Sequence, residues 1–319
     1  MASLEYTTLD VFTTTKYLGN PLAIVHLPAG AQLTKSQKQT IAREFNYSET
    51  IFLHLPPIST PSGPPTWPVE IFTPDQELPF AGHPTIGAAT HILRSLALSF
   101  PSAVVDGHIR GAFECAAGRL DLVYAPASGE ARAGVPHAVR VHAEEAVSVA
   151  QVLGWQGGLE EGEVRGVRLV SAVRGMNFVM VEVEGLEALG KVRTVGARIE
   201  GPVLDQGWDV GPTFVMFYVR MRGEEDEEEG QGEVVKLRTR MIEGLVEDPA
   251  TGSASLALAA LISLAEGREG KTKYEMVQAV EMGRRSEIGV EVAVEGGEVK
   301  TAVLIGKAVT VMQGRLFYE

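Results

Sequence analysis

DPATGSASLALAALI, residues 248–262, is a tight glycine-containing turn running into a helix with no polar face. A helix that is small and apolar on nearly every side has no surface to offer water and is buried all round. A second stretch of the same kind, FAGHPTIGAATHIL, occupies residues 80–93. Its Pro84 suits the first helical turn, where a missing N–H costs nothing. The two stretches lie a little over half the chain apart, and each is surrounded by segments with strand patterning. This spacing predicts two related halves, each a sheet curled around one buried helix.

Outward from these helices the elements follow from pattern. Thr7–Phe12 and Leu22–Leu27 read as strands around a Gly19-Asn20-Pro21 turn. Ser36–Phe45 reads as a helix, with Leu33, Ile41, Ala42 and Phe45 on one apolar face. Ser48–His54 and Val69–Thr73 read as strands. Ile58–Pro68, rich in proline and serine, reads as a loop, and Ala103–Tyr124 returns to β patterning. Ala143–Leu153 is predicted helical, with Glu144 and Glu145 where the dipole favours them. Leu169–Val183, Thr213–Arg220, Gly289–Val294 and Ala308–Tyr318 read as strands. Proline, glycine and alanine cluster at Ala125–Gly134, which suggests a boundary there. The expected domains are 1–127 with about 306–319, and 128–305.

Composition narrows the chemistry. With 319 residues, 45% hydrophobic and 22% charged, the chain can build one large or two medium cores. A net charge of −13 disfavours nucleic acid or an anionic membrane as main partner, because both need a basic face. Residues 223–233, GEEDEEEGQGE, hold seven acidic residues and read as a solvated acidic loop between strands. The single cysteine, Cys115, excludes a disulfide framework, a multi-cysteine zinc site and two-thiol racemase chemistry. MASLEYTTLDVF lacks a basic region followed by an apolar core, and no run of about 18 apolar residues occurs, so neither a signal peptide nor a membrane span is expected.

Three clusters carry polar chemistry: Asn46–Thr50, Phe80–Pro84 and Glu247–Ser253. In the last two, small residues precede a helix whose free N–H groups favour an anion. Thr251 and Ser253 add hydroxyls. Neither is a Walker or Rossmann loop. An ordinary capped helix accounts for each by itself, with Asp248 or Glu247 as N-cap. His83 alone reads as a structural hydrogen-bonding residue, and Glu49 alone as a surface strand residue.

Joint occurrence promotes these residues. IAREFNYSETIFL, IFTPDQELPFAGHPTIGAA and VEDPATGSASLALA, in this order, resemble the signature segments of the PhzF-like (phenazine biosynthesis-like) family, and LDVFTTTKYLGNPLAIVHLP resembles its opening strands. The resemblance runs from about Thr8 to Phe317 and is thin between Pro126 and Val235. It implies a diaminopimelate-epimerase-like α/β (α+β) fold. Two similar domains, each a barrel-like, mostly antiparallel sheet around a central buried helix, would flank an active-site cleft. It implies an isomerase in which Glu49 moves a proton, with His83 and Asp248 as further catalytic residues. Gly82, Thr251, Gly252, Ser253 and Asn20 are the expected substrate-binding residues. The expected partner is a small carboxylic acid, with no metal and no cofactor, in a cytoplasmic homodimer. In diaminopimelate epimerase paired cysteines sit at the equivalent helix ends; here those places read Ala81-Gly82-His83 and Asp248-Pro249-Ala250. Two further readings stay open: a non-catalytic small-acid-binding or scaffold protein, and an epimerase or racemase using Glu49 and Asp248 from opposite faces. Glu70, where many members carry arginine, Arg174–Asn177 and Arg284–Ser286 depart from the family pattern and leave the substrate open.

Overall fold

A computed structural model describes residues 2–55, 63–194, 199, 202–221 and 234–318. The acidic stretch 223–233 lies outside the described residues. The chain divides into two compact units, Met1–Val135 with Leu304–Glu319, and Pro136–Val303.

The first unit is built from β1 (Ala2–Val11), β2 (Asn20–Pro28), α1 (Lys35–Phe45), β3 (Thr50–Leu55), β4 (Thr66–Phe72), β5 (Glu77–Leu78), α2 (Gly82–Ser99), β6 (Ile109–Cys115), β7 (Gly118–Ala125), β8 (Glu130–Gly134) and the final strand of the chain, Ala308–Tyr318. β1 lies between that final strand and β2, antiparallel to both. From there the sheet continues β2–β3 parallel, β3–β4 antiparallel, β4–β6 parallel, then β6–β7 and β7–β8 antiparallel. A parallel pair needs a crossover, and α1 and α2 supply the two. α2 touches strands from one side of the sheet to the other, so the sheet curls around it. Its residues Gly82–Thr90 and Leu93 are buried. Gly87 marks the closest approach: an added Cβ would sit 2.5 Å from Leu22 Cδ2 and 2.8 Å from Val11 Cγ2. On the outer face α1 covers a second layer containing Leu4, Val25, Leu27, Leu33, Ala42, Phe52 and Phe72, with Ile41 and Phe45 packed against it. The expected apolar face of α1 is therefore the one it buries. A capping box of Thr34 and Gln37 starts it.

The second unit contains β9 (Arg140–Val141), α3 (Val149–Trp155), β10 (Val164–Val173), β11 (Met176–Val183), α4 (Leu186–Lys191), β12 (Thr213–Met221), β13 (Val234–Glu243), β14 (Val246–Asp248), α5 (Gly252–Ala265), β15 (Gly270–Gln278) and β16 (Ser286–Glu295). β17 (Glu298–Gly306) carries the chain back to the first unit and to β18, the final strand. β10–β11 is antiparallel, β11–β12 parallel, β12–β13 antiparallel, β13–β15 parallel and β15–β16 antiparallel. This is the same alternation as β1 to β7, with α4 and α5 as crossovers and β14 in the place of β5. The predicted repeat is thus a repeat of topology, with α2 and α5 as its buried helices. α5 packs on β10, β11, β15 and β16 and is buried from Ala254 to Ser263.

Several sequence expectations shift. Ala143–Leu153 is not one helix: a 3-10 turn, Glu144–Ala146, gives way to α3 because Ser148 leaves the helical path to cap. Its hydroxyl accepts from Gln151 N and Gln151 Oε1 accepts from Ser148 N. Leu169–Val183 is a hairpin turning at Gly175, whose φ is +92°. The proline-rich loop ends earlier than expected, since Thr66–Pro68 belong to β4; Trp67 is buried against Phe113, while Pro68 faces outward. Residues 58–62 of that loop lie outside the described ones. β8 pairs with β7 and stays in the first unit, whereas a division after residue 127 separates them.

Candidate active site

In the first unit, α1 ends on Asn46, whose left-handed backbone (φ 52°) lets its N–H reach Ala42 O and turns the chain toward β3. Glu49 follows, one residue before the strand. Its carboxyl Oε2 lies 3.4 Å from Nδ1 of His83, and the two side chains are 18% and 5% exposed. His83 is the second residue of α2, after an extended Ala81 whose carbonyl accepts both the N–H and the hydroxyl of Thr85. Burial pushes the Glu49 carboxyl above the ordinary carboxylate range, and a hydrogen bond with the Ser48 hydroxyl pulls it part of the way back. Ser48 Oγ also lies 3.5 Å from Oδ1 of Asn20. Asn20, 1% exposed, opens β2 opposite Val11. Gly19 makes that turn possible: its φ is +68°, and a Cβ would lie 2.3 Å from Val11 O.

In the second unit, β14 ends at Asp248 and α5 begins at Gly252. The expected N-cap, Asp248 or Glu247, is corrected to Thr251, which makes no side-chain cap bond. The Thr251 hydroxyl instead donates to Asp248 Oδ2 at 2.5 Å, while Asp248 Oδ1 accepts from Ala250 N at 3.4 Å. Glu247 is taken by Arg240, which grips both its oxygens at 2.9 and 2.7 Å and also donates to Leu189 O and Val192 O. Gly252 is buried and Ser253 half-buried at the helix start. The structure thus gathers Glu49, His83, Ser48 and Asn20 in one unit, and Asp248, Thr251, Gly252 and Ser253 in the other.

Sequence reasoning missed Gln278. It is fully buried at the end of β15, and its amide Nε2 donates to Asp248 O at 2.8 Å and Thr251 Oγ1 at 3.1 Å. The signal was in the alternation: Thr272, Tyr274, Met276 and Gln278 all face inward, so a polar residue follows two large ones on the core side.

Glu70, the departure from arginine, is explained by α1. Lys38, 7% exposed, donates to both Glu70 oxygens at 2.5 and 2.6 Å, and His54 Nε2 lies 2.8 Å from Oε1. Burial by itself would push the Glu70 carboxyl up; the hydrogen bonds and charges of Lys38 and His54 outweigh it and hold the carboxyl below its ordinary range.

A second constellation resembles a catalytic triad and is not one. Ser171 Oγ lies 2.9 Å from His142 Nε2, and Asp205 Oδ1 lies 3.4 Å from His142 Nδ1. Asp205 N donates to Nδ1 at 3.1 Å, so the ring proton sits on Nε2 and points at Ser171. Ser171 in turn donates to Asn177 Oδ1 at 2.6 Å. The imidazole cannot take the serine's proton, which is the opposite of nucleophile activation. Asn177 Nδ2 passes the network on to Val210 O and Pro212 O.

Among the described residues no helix is long and apolar enough to cross a membrane, and no three His, Cys, Asp or Glu side chains group around a common metal position.

The family profile described as phenazine biosynthesis-like protein, PhzC-PhzF, matches residues 9–314. The chain belongs to this family. An uncharacterized isomerase of Mesorhizobium japonicum is 34% identical over 99% of this chain and 100% of its own length. The trans-2,3-dihydro-3-hydroxyanthranilate isomerase of Pseudomonas chlororaphis is 39% identical over 27% of this chain and 28% of its own. Among solved structures, a PhzF-family phenazine biosynthesis protein of Bacillus anthracis superposes with a TM-score of 0.75 at 20% identity, covering 100% of both chains. A hydroxyproline epimerase of Agrobacterium vitis, at 14% identity and a TM-score of 0.58 over 98% and 92% of the two chains, shares the fold alone. As a member of the PhzC-PhzF family the chain is an isomerase.

Proposed function

We propose that this isomerase moves a proton within a small conjugated or cyclic carboxylic acid without a cofactor, and that Glu49 is its acid–base group. The observation that carries the reading is the enclosed Glu49 carboxyl, raised by burial and 3.4 Å from His83 Nδ1 at the start of a buried helix. A base works best when its pKa lies near the working pH, and burial moves a glutamate in that direction.

In this scheme the ionised Glu49 takes a proton from a carbon whose C–H is acidified by an adjacent π-system. The electron pair left behind spreads into that system, and the Glu49 carboxylic acid returns the proton to a different carbon. One C–H bond breaks, one forms, and no electron leaves the substrate. His83 steadies the carboxyl in both protonation states, since a neutral imidazole can donate to it or accept from it. In the second unit Asp248 is suited to take a polar substituent, and the N–H groups of Gly252 and Ser253 with the Ser253 hydroxyl to hold a carboxylate. The low exposure of the Glu49 side chain slows exchange of the transferred proton with solvent.

Glu49→Gln tests this reading, because it keeps the shape and removes the base. Loss of a general base costs about 10²- to 10⁴-fold in rate. Trans-2,3-dihydro-3-hydroxyanthranilate is the first substrate to assay, followed by other cyclic conjugated acids. Product formed in deuterated solvent by a single turnover should retain part of the original hydrogen at the receiving carbon. Turnover of a confirmed substrate that survives Glu49→Gln within about tenfold removes Glu49 from the mechanism.

A further inference from the structure

We infer that Gln278 is the positioning residue of the Asp248 carboxylate, acting through the Thr251 hydroxyl. The inference rests on the reading of Asp248 as a site residue. The amide orientation is set by its surroundings. Nε2 faces Asp248 O at 2.8 Å and Thr251 Oγ1 at 3.1 Å, whereas Oε1 accepts from Thr251 N at 3.4 Å and from Thr239 Oγ1 at 3.5 Å. A flipped amide would set oxygen against the Asp248 carbonyl, so the orientation has one answer.

That orientation fixes the next group. Thr251 Oγ1 accepts from Gln278 and has one proton to give, and its donation goes to Asp248 Oδ2 at 2.5 Å. The direction runs one way: Gln278 amide to Thr251 hydroxyl to Asp248 oxygen. Asp248 is therefore held as an acceptor on Oδ2 and kept from rotating. A side chain held by its neighbours before the ligand arrives loses little entropy when the ligand binds.

The backbone beside Gln278 supports a purpose beyond filling space. Ala279, fully buried, has a left-handed φ of 60°, a conformation that an alanine adopts at a cost. Its N–H reaches Thr239 O and its carbonyl accepts from Arg284 N at 3.0 Å. These bonds end β15 at Gln278 and hold the amide under the turn. A strained, fully buried residue next to a buried amide, both beneath Asp248, is the pattern of a site built in advance.

The experiment uses the full-length protein and needs no substrate for its deciding arm. The Thr251 hydroxyl proton is followed by NMR through its coupling to Cβ, in wild type, Gln278→Met and Gln278→Glu, at two pH values above the ordinary aspartate range that bracket the introduced carboxyl, which burial raises. In wild type the proton exchanges slowly at both pH values. In Gln278→Met, which removes donor and acceptor at similar volume, its exchange rises about tenfold or more. In Gln278→Glu the protonated acid can donate as the amide did, so slow exchange returns at low pH and is lost at high pH. A structural filler would give no such pH dependence. Exchange unchanged in Gln278→Met, or the same in Gln278→Glu at both pH values, overturns the inference. Should Gln278→Met fail to fold, the Gln278→Glu pair of measurements decides. With trans-2,3-dihydro-3-hydroxyanthranilate, kcat/KM of Gln278→Glu should follow the same pH profile. Turnover that survives Glu49→Gln removes the acid–base assignment and leaves this wiring standing; a Thr251 proton indifferent to Gln278 does the reverse.

Discussion

At the scale of one residue, Glu49 is costly to the fold and, in the proposed mechanism, useful to the reaction, and the two are separable by pH. Its carboxyl is pushed above the ordinary value of 4.5, first by burial, with Ser48 opposing. In the window above 4.5 the folded protein therefore holds a proton that the unfolded chain has released. Unfolding then releases a proton, so stability falls as pH rises from 4.5 through the folded value, and is unaffected below it. Glu49→Gln removes that loss. The variant should match wild type in urea unfolding near pH 4, become the more stable of the two as pH rises to 8, and be the less active throughout. A variant less stable than wild type at pH 8 would mean that the carboxylate is well solvated and that its enclosure is misjudged. None of this was legible in Glu49 itself, which by local pattern is one more polar residue ahead of a strand. Only the joint order of three segments singled it out. Gln278 was within reach by alternation along Thr272, Tyr274 and Met276, but a buried glutamine gives no hint from sequence of which backbone it ties.

At the scale of elements, the buried helices and most strands were readable because their signals are local. FAGHPTIGAATHIL has no polar face, and α2 is buried along that stretch; the Leu33, Ile41, Ala42 and Phe45 face of α1 is the buried one. The failures came where one residue outweighed a pattern. Ser148 captured Gln151 and split a helix, and Trp67 drew Thr66–Pro68 into β4 by packing on Phe113. Close approach of helix to sheet was not readable at all, and it makes Gly87→Ala an informative change. Alanine gains about 1 kcal/mol over glycine in a helix interior. Against this, the new Cβ would lie 2.5 Å from Leu22 Cδ2 and 2.8 Å from Val11 Cγ2, with both side chains fully buried. Overpacking of this kind costs about 1–3 kcal/mol. The clash should win, giving a net loss of about 1 kcal/mol in urea unfolding. A gain in stability would show that Leu22 and Val11 have room to retreat.

At the scale of the whole chain, the two units differ in how they are assembled from sequence, although they repeat one topology. The second is continuous, Pro136–Val303; the first takes its β18 from the far end of the chain. β1 pairs with β18 along its entire length, from Ala2 opposite Tyr318 to Val11 opposite Ala308. The seam is closed beyond the ladder by Phe12 N donating to Lys307 O at 2.7 Å and by Gly306, where a Cβ would lie 2.4 Å from the Phe12 ring. Separate expression should expose this asymmetry. Residues 136–303 alone should give a cooperative urea transition, since they keep every strand from β9 to β16 and β17 as far as Val303. Residues 1–135 alone leave the buried Thr7–Val11 half of β1 without its neighbour, and an unpaired edge with buried side chains associates with other chains. That fragment should aggregate or stay expanded by near-UV circular dichroism, and regain native signal when a peptide of residues 304–319 is added or tethered. The β18 peptide is what decides, because the missing contribution is a ladder and its packing rather than a linker. A fragment 1–135 that unfolds cooperatively by itself would show that β18 adds nothing the sheet needs, and would place the boundary between the units elsewhere.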